Sequence, residues 1–481
     1  MARVRVRSAV LIAIAGVAIP VSAGASGIHV GTTVNVSADR FADNEESFGM
    51  NPSGTWLAGA WNDFDFNDGC GFSFSTDGGK SFAPRSFVPG FTAFTNDPSI
   101  PGTGTFAVAG DPAVEFNPKF NTFDVVCQAF GATGGAINLL ATTFDPIKAD
   151  PVANENASYV GARNPWTHPV AIATGTSNGT QKGSTGHFPD HEFLVIDTGN
   201  GAGHHFGRAF VTWAEFNGNF RSSIDLAFSD DNGQTWSGPI GVSDAGHKFD
   251  QDARTTIGPD GTVYVSFDSG PNATSFGKEV DIAASHDGGQ TFGPTVPMAQ
   301  LINPVPGLLP NSQYRVFSDV WSSASSSGIV TAVFNDQRNG HSNIYAVHNL
   351  APGDLTRWSS PVGVKTSAKE EFFPWVETSP SGNRLDLTFY DRSNDPANTK
   401  NWVDYASSTD NGATWTVTTA TSVGADLDMF QACLAFVQPS NCGDFFIGDY
   451  IALVSTETAV HLFYTWNGPA AQDVFETNLR F

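Results

Sequence analysis

Carboxylates, arginines and a histidine recur in this chain at two kinds of place: the entry to one strand-like run and the exit from the run that follows. Entries give Asp111 (GDPAVEF), Asp190 and His191 (PDHEF), Asp250, Asp252 and Arg254 (FDQDART), Arg315 and Asp319 (YRVFSD), Glu371 (KEEFFPW), and Asp449 with Tyr450 (IGDY). Exits give Asp63, Asp268, Asp336 with Arg338 (NDQRNG), and Asp391 with Arg392 (FYDRSND). Brought together, such groups support one chemistry, in which paired carboxylates supply acid and base while guanidinium groups clamp an anionic group. The catalytic candidates are Asp111, Asp252, Asp336, Glu371 and Asp391. The substrate-binding candidates are Arg254, Arg315, Arg338, Arg392 and Tyr450. Of twelve arginines after residue 25, four sit at these entries and exits. The competing structural reading is that Asp–Arg pairs tie the loops of neighbouring units together.

The elements that must position these groups show themselves in a repeat. The pattern Ser-x-Asp-x-Gly-x-Thr/Ser-Trp/Phe occurs four times: Ser75 to Phe82, Ser229 to Trp236, Ser285 to Phe292 and Ser408 to Trp415. In each copy an aspartate (Asp77, Asp231, Asp287, Asp410) and a glycine stand two apart where a hairpin must reverse. The carboxylate accepts turn amides, glycine tolerates positive φ, and the aromatic packs beneath. Each copy follows an apolar strand-like run, so the chain reads as a repeat protein. Counting strand pairs gives seven units: Glu45 to Asp63, Asp111 to Phe130, His191 to Glu215, Asp252 to Asp268, Arg315 to Asp336, Glu371 to Asp391 and Phe446 to Trp466. Degenerate turns stand near Thr143 to Pro146 and Asp354 to Trp358.

The four turns resemble the Asp box, or BNR repeat, of sialidase-like β-propellers, and the resemblance covers nearly the whole mature chain. It implies an all-β propeller of four-stranded antiparallel blades, with the box between a blade's third and fourth strands. Seven units favour seven blades; the sialidase catalytic domain has six, which is the alternative count. The last unit lacks a fourth strand, and the lone N-terminal strand Ile28 to Val36 is placed to supply it and close the ring. In such a ring the boxes mark one face, and the charged entries and exits converge on the other around a central depression.

For activity the resemblance is broader, since hydrolases, lyases and non-catalytic receptors carry the box. The leading expectation is a glycan-active glycoside hydrolase, sialidase-like. The alternatives are a propeller that binds a glycan or protein without catalysis, and a polysaccharide lyase using Arg315 beside Tyr314, or His191. No Arg-Ile-Pro segment occurs, and Arg40 is the only arginine between residue 25 and Ser75, whereas sialidases carry both that segment and an arginine triad. Tyr390 and Tyr464 lie within strand-like runs and read as packing residues.

The N-terminus carries Arg3, Arg5 and Arg7, then an apolar stretch from Val10 to Ile19 and small residues, which is the pattern of a signal peptide over residues 1–25. The apolar run is shorter than the ~20 residues of a bilayer span. Residues 26–481 then form one domain, expected to be secreted or extracytoplasmic and monomeric. Loss of the three arginines takes the formal net charge from −24 to −27, which argues against nucleic acid or an anionic membrane as a partner; the resemblance to sialidase-like propellers implies a glycan or other carbohydrate. Four cysteines in an exported chain allow two disulfides. Cys433 and Cys442 bracket a short loop and are paired, which leaves Cys70 with Cys127. No cofactor is expected. Asp250 with Asp252, and Asp391 with Asp395, offer oxygen ligands for Ca²⁺, although neither pair matches an EF-hand or zinc spacing. His204 and His205, in a glycine-rich loop, read as surface residues.

Overall fold

The computed structural model describes residues 27–38, 40–64, 69–93, 95, 104, 106–131, 137–149, 164–176, 186–218, 221–270, 277–429 and 445–481. Cys433, Cys442 and the leader fall outside these residues. Strand β1 (His29–Asn35) precedes the first blade, which comprises β2 (Asp43–Met50), β3 (Leu57–Asp63), β4 (Gly69–Ser75) and β5 (Ser86–Phe87). Blade 2 is β6 (Val108–Asn117), β7 (Thr122–Phe130), β8 (Ile137–Phe144) and β9 (Val170–Gly175). Blade 3 is β10 (Phe188–Ile196), β11 (Ala209–Phe216), β12 (Ser222–Ser229) and β13 (Ile240–Gly241). Blade 4 is β14 (Asp250–Ile257), β15 (Val263–Ser269), β16 (Glu279–Ser285) and β17 (Val296–Gln300). A separate hairpin, β18 (Pro306–Leu308) and β19 (Arg315–Phe317), leads into blade 5, which is β20 (Val320–Ala324), β21 (Val330–Asp336), β22 (Asn343–His348) and β23 (Val362–Lys365). Blade 6 is β24 (Glu371–Thr378), β25 (Leu385–Asp391), β26 (Trp402–Ser408) and β27 (Thr416–Thr419). Blade 7 is β28 (Ala452–Ser455), β29 (Ala459–Asn467) and β30 (Gln472–Arg480), completed by β1.

The architecture is a seven-bladed antiparallel β-propeller. Its ring closes where β1 pairs with β30, His29 opposite Arg480 and Asn35 opposite Phe475, so that neither edge is left open. Aromatic contacts cross several of the seams between blades; Phe48 of blade 1 stacks on Phe463 of blade 7 at 3.6 Å. A disulfide, Cys70–Cys127, ties blade 1 to blade 2, a bond that persists in oxidising compartments. Among the described residues no helix is long and apolar enough to cross a membrane.

One boundary needs correction. The fifth unit does not begin at Arg315, because that residue belongs to the inserted hairpin and blade 5 starts at Val320. The run YRVFSD looked like a first strand because its apolar residues Tyr314 and Val316 are buried, but they seat the hairpin on the ring.

The four repeated turns share one hydrogen-bond network. In the second copy Ser229 Oγ donates to Asp231 Oδ1 (2.9 Å), Gly233 N donates to Ser229 Oγ (3.0 Å), and Thr235 gives its amide to Oδ1 (2.9 Å) and its hydroxyl to Oδ2 (2.6 Å). Asp77, Asp287 and Asp410 repeat the pattern. The fifth-position glycine has φ of +72° to +84° in all four copies (Gly233 72, Gly79 78, Gly412 82, Gly289 84), a backbone conformation that glycine adopts freely and L side chains rarely do. These turns also brace the ring. Arg208 of blade 3 donates to Gly288 O of the blade 4 turn (2.7 Å), and Thr331 of blade 5 donates to Asn411 O of the blade 6 turn (3.0 Å).

Candidate functional site

Pairing places the start of each first strand and the end of each second strand on the face opposite these turns: Asp43 lies opposite Asp63, and Glu371 opposite Asp391. On that face the innermost strands are irregular. In β2, β6, β10, β14 and β24 the register breaks, and at each break one non-glycine residue has positive φ: Glu45 (55°), Asp111 (49°), His191 (57°), Asp252 (55°) and Phe373 (52°). Such a conformation costs about 1–3 kcal/mol at each position. What it gains is direction, since a bulge re-aims side chains that a regular pleat would place elsewhere.

Two positions beyond each bulge, the chain rejoins the ladder opposite the middle of the second strand. Ser47 faces Ala60, Ala113 faces Val126, Phe193 faces Thr212, Arg254 faces Ser266 and Trp375 faces Thr388. Blade 5 has no bulge and supplies Trp321 opposite Val333 in the same register, while blade 7 supplies Tyr450. These residues meet at the axis as a constriction. Four aromatic rings line it with Arg254 and Glu192: Trp321 and Trp375 lie with ring centroids 3.5 Å apart, and the Arg254 guanidinium sits 4.3 Å from the Trp321 ring.

Above this floor opens a cavity of about 240 Å³, lined by Asp190, His191, Gln251, Asp252, Asp268, Arg315, Phe317, Asp319, Phe373 and Asp449 among others. At its centre Asp252 accepts His191 Nδ1–H (2.6 Å), and Arg254 Nη2 donates to His191 Nε2 (2.9 Å). Arg254 also lies 3.9 Å from Asp319, whose oxygens accept Val320 N (2.7 Å) and Trp321 Nε1 (3.1 Å). The inserted hairpin carries Arg315 across the mouth to Asp449 of blade 7, where Nε donates to Oδ1 (2.8 Å) and Nη2 to Oδ2. Asp449 N in turn donates to Glu45 (3.0 Å), and Asn62 bridges Glu45 and the Asp111 amide.

The electrostatics are unbalanced. Burial pushes Asp190 and Asp319 up to about 7, and in both cases a nearby carboxylate adds to it. Burial, then the neighbouring carboxylates, push Asp268, Glu45 and Glu192 well above the usual range. Asp252 goes the other way. Burial opposes its charge, but His191 and Arg254 outweigh it and hold the carboxyl below its ordinary value. For His191, burial disfavours the charged ring, Asp252 more than restores it, and the pKa ends raised. Because Arg254 donates to Nε2, the neutral ring carries its proton on Nδ1, and protonation at Nε2 requires the guanidinium to move.

Of the candidates read from sequence, Asp252 and Arg315 line the cavity, Arg254 and Tyr450 line its floor, and Asp111 stands next to this group beside Glu45 and Asn62. The others do not line the cavity. Asp336 is closed by Arg338 (2.6 Å) and the Ile302 amide. Glu371 and Asp391 adjoin each other on the seam between blades 5 and 6, held by Ser367, Asn343 and Lys365. Arg392 is wholly buried against Tyr314, Asn401 and Pro310 O. Tyr390 and Tyr464 are buried and bonded to Thr465 O and Thr477. His204 is no open surface residue, since its ring is bonded to Asp197 (2.7 Å). Glu45, Phe193, Phe373, Trp321 and Trp375 escaped sequence reasoning. The signal that could have found most of them is the i, i+2 spacing from each strand-entry acid or histidine.

The fold and site thus define a seven-bladed propeller with an acid-rich central cavity over an aromatic floor. No family model matches the chain, and no curated protein matches it. Among solved structures, a protein of unknown function from Dyadobacter fermentans aligns over 95% of this chain and 100% of its own, at 13% identity and a TM-score of 0.45. A Hadza microbial sialidase aligns over 91% of this chain and 65% of its own, at 17% identity and a TM-score of 0.41. An ulvan lyase bound to -[GlcA(1-4)Rha3S]- aligns over 92% and 93%, at 9% identity and a TM-score of 0.48. At these identities the likeness is one of fold alone.

Proposed function

We propose that the chain is a carbohydrate-active propeller that hydrolyses a glycosidic bond in its central cavity. One observation carries this reading: two carboxylates on one cavity wall, Asp252 and Asp319, both adjoin Arg254 yet are pushed in opposite directions, the first down and the second up to about 7. Carboxyls separated in this way divide the work of acid and base. Asp319 holds a proton near neutral pH and delivers it to the glycosidic oxygen as the C–O bond breaks; a water molecule then adds to the freed anomeric carbon and returns a proton to the Asp319 carboxylate. Asp252 stays ionised and stabilises the positive charge that develops on the sugar ring. The four turns and their resemblance to the Asp box support a place among sialidase-like proteins.

The substrate differs from that of a sialidase on this reading. Arg315 is neutralised by Asp449, Arg254 is held by His191 and Trp321, and the mouth gathers many acids. A carboxylate-bearing sugar finds both arginines already engaged and no free clamp, so the reading is an uncharged or amino-bearing glycan. A second reading, binding without cleavage, is favoured by the aromatic floor and by the pairing of both arginines.

A panel of neutral, amino-bearing and sialic-acid glycosides, together with binding to the same sugars, tests both. Hydrolysis of a neutral or amino glycoside that is lost in Asp252→Asn and Asp319→Asn supports the proposal. Binding without turnover supports the second reading. Hydrolysis unaffected by both substitutions overturns the residue assignment, and release of sialic acid overturns the substrate class.

A further inference from the structure

Blade 4 gathers a second set of chemistry-bearing side chains behind the cavity wall. His247 lies in the turn that leads into β14, its side chain about one-quarter exposed (24%). Glu279 and Asp281 stand two apart on β16 and therefore project from the same face of the strand. One ligand atom from each of the three lies within 4.8 Å of the others. His247 Nε2 is 3.6 Å from Asp281 Oδ2, close to the ~3.4 Å that separates two ligands of one tetrahedral ion with bonds of ~2.1 Å.

Two further observations point to a ligand. The His247 ring is oriented from behind, because Nδ1 donates to Asp244 Oδ1 (3.2 Å), and that oxygen is itself fixed by the Gly246 amide (3.0 Å). A carboxylate behind the ring keeps the proton on Nδ1 and leaves the Nε2 lone pair facing the cluster, as at metal-bound histidines. The second is an unmet acceptor. Asp281 is wholly buried, the Ser269 hydroxyl occupies Oδ2, and Oδ1 has no hydrogen-bond partner. Beside it Asp250, also wholly buried, has neither oxygen in a closed hydrogen bond, although the Ser243 and Ser269 hydroxyls lie near. Buried carboxylates keep unmet acceptors at a cost, unless something positive occupies the space between them.

We propose that His247, Glu279 and Asp281, with Asp250 beside them, bind one divalent transition-metal ion such as Zn²⁺ or Mn²⁺. An imidazole with two or three carboxylates suits these ions, whereas Ca²⁺ takes six or more oxygens. The ion joins the turn before β14 to β16 and so clamps the strands on either side of β15, whose Asp268 lines the central cavity. It braces the wall and takes no part in the acid–base step.

The test is calorimetric titration of the untagged, EDTA-treated chain with ZnCl₂, MnCl₂ and CaCl₂, alongside thermal unfolding. The expected result is one Zn²⁺ or Mn²⁺ per chain and a higher Tm on binding. Affinity falls at least ~100-fold in His247→Ala and in Glu279→Gln, and ~10-fold in Asp244→Asn, the residue behind the ring. Glu279 is partly exposed, so its variant keeps the test open should His247→Ala fail to fold. No binding of either transition metal, unchanged affinity in the variants, or preference for Ca²⁺ overturns the proposal.

Discussion

Aspartate does opposite things on the two faces of this ring. On the turn face Asp77 and Asp410 are exposed and Asp231 and Asp287 half-buried, and each carboxylate accepts a serine hydroxyl, an amide and a Thr or Ser hydroxyl. Slight burial works against their charge, but these donors prevail and hold all four below the usual carboxylate range, Asp287 at about 2. On the mouth face Asp190, Asp268 and Asp319 are enclosed with fewer donors and more carboxylates, and burial pushes them up. The same side chain thus serves as a fixed anion where donors surround it and as a proton store where they are withheld. The turn face spends its aspartates on closing hairpins and bracing blades, and the mouth face encloses Asp190, Asp268 and Asp319 among other carboxylates.

The largest expected effect comes from erasing the contrast at the mouth. Asp252→Asn or Asp319→Asn should lower kcat/KM for the cleaved glycoside by about 10²–10⁴-fold, the usual worth of a positioned acid or base. Asp231→Asn, the same change on the other face, should leave it unaltered. Equal losses at both faces would mean that the contrast has no bearing on catalysis.

Next is the pH dependence of stability. In the unfolded chain carboxyls ionise near ~4, while in the fold burial holds Asp319 and Asp190 near 7, Glu46 and Glu377 near 8 and Glu371 near 9. As pH rises through this window the unfolded chain releases its protons first, so stability declines. The turn aspartates carry the opposite sign: their contribution is present above ~4 and is lost only in stronger acid. Tm should therefore be at least about 5 °C higher at pH 5 than at pH 8.5, read by calorimetry. A Tm that rises with pH over that range would reverse the assignment of the two faces.

Asp231→Ala removes three hydrogen bonds from one turn. Because they are solvent-facing, the loss should be about 1–2 kcal/mol, seen as a small drop in Tm without change in activity. Smallest is Phe317→Ala at the cavity edge, where losing one stacking surface should raise KM no more than about 5-fold and leave Tm in place.

The turns were legible in the sequence because their information is local: eight consecutive residues hold the donor, the acceptor and the positive-φ positions. The closing strand was legible too, since a seventh unit lacking its last strand and an N-terminal strand without a unit answer each other. The mouth was not, because its membership depends on register. Glu371 and Asp252 look alike as strand-entry acids, yet the bulge in β14 turns Asp252 to the axis, while in β24 the bulge falls at Phe373 and leaves Glu371 on the seam. Asp336 and Asp391 resemble Asp268, but local cations close them. Trp321 and Trp375 carry no charge to single them out in the sequence, and only the pairing places them under the cavity.

The most direct test is infrared titration of the carboxyl band between pH 5 and 9, on the wild type and on Asp319→Asn. Protonated carboxyls that persist at pH 5.5 and ionise around pH 7, with one fewer in the variant, are the predicted result. A wild type whose carboxyls are all ionised by pH 5.5 would contradict the distinction between the two faces, and with it the assignment of acid and base.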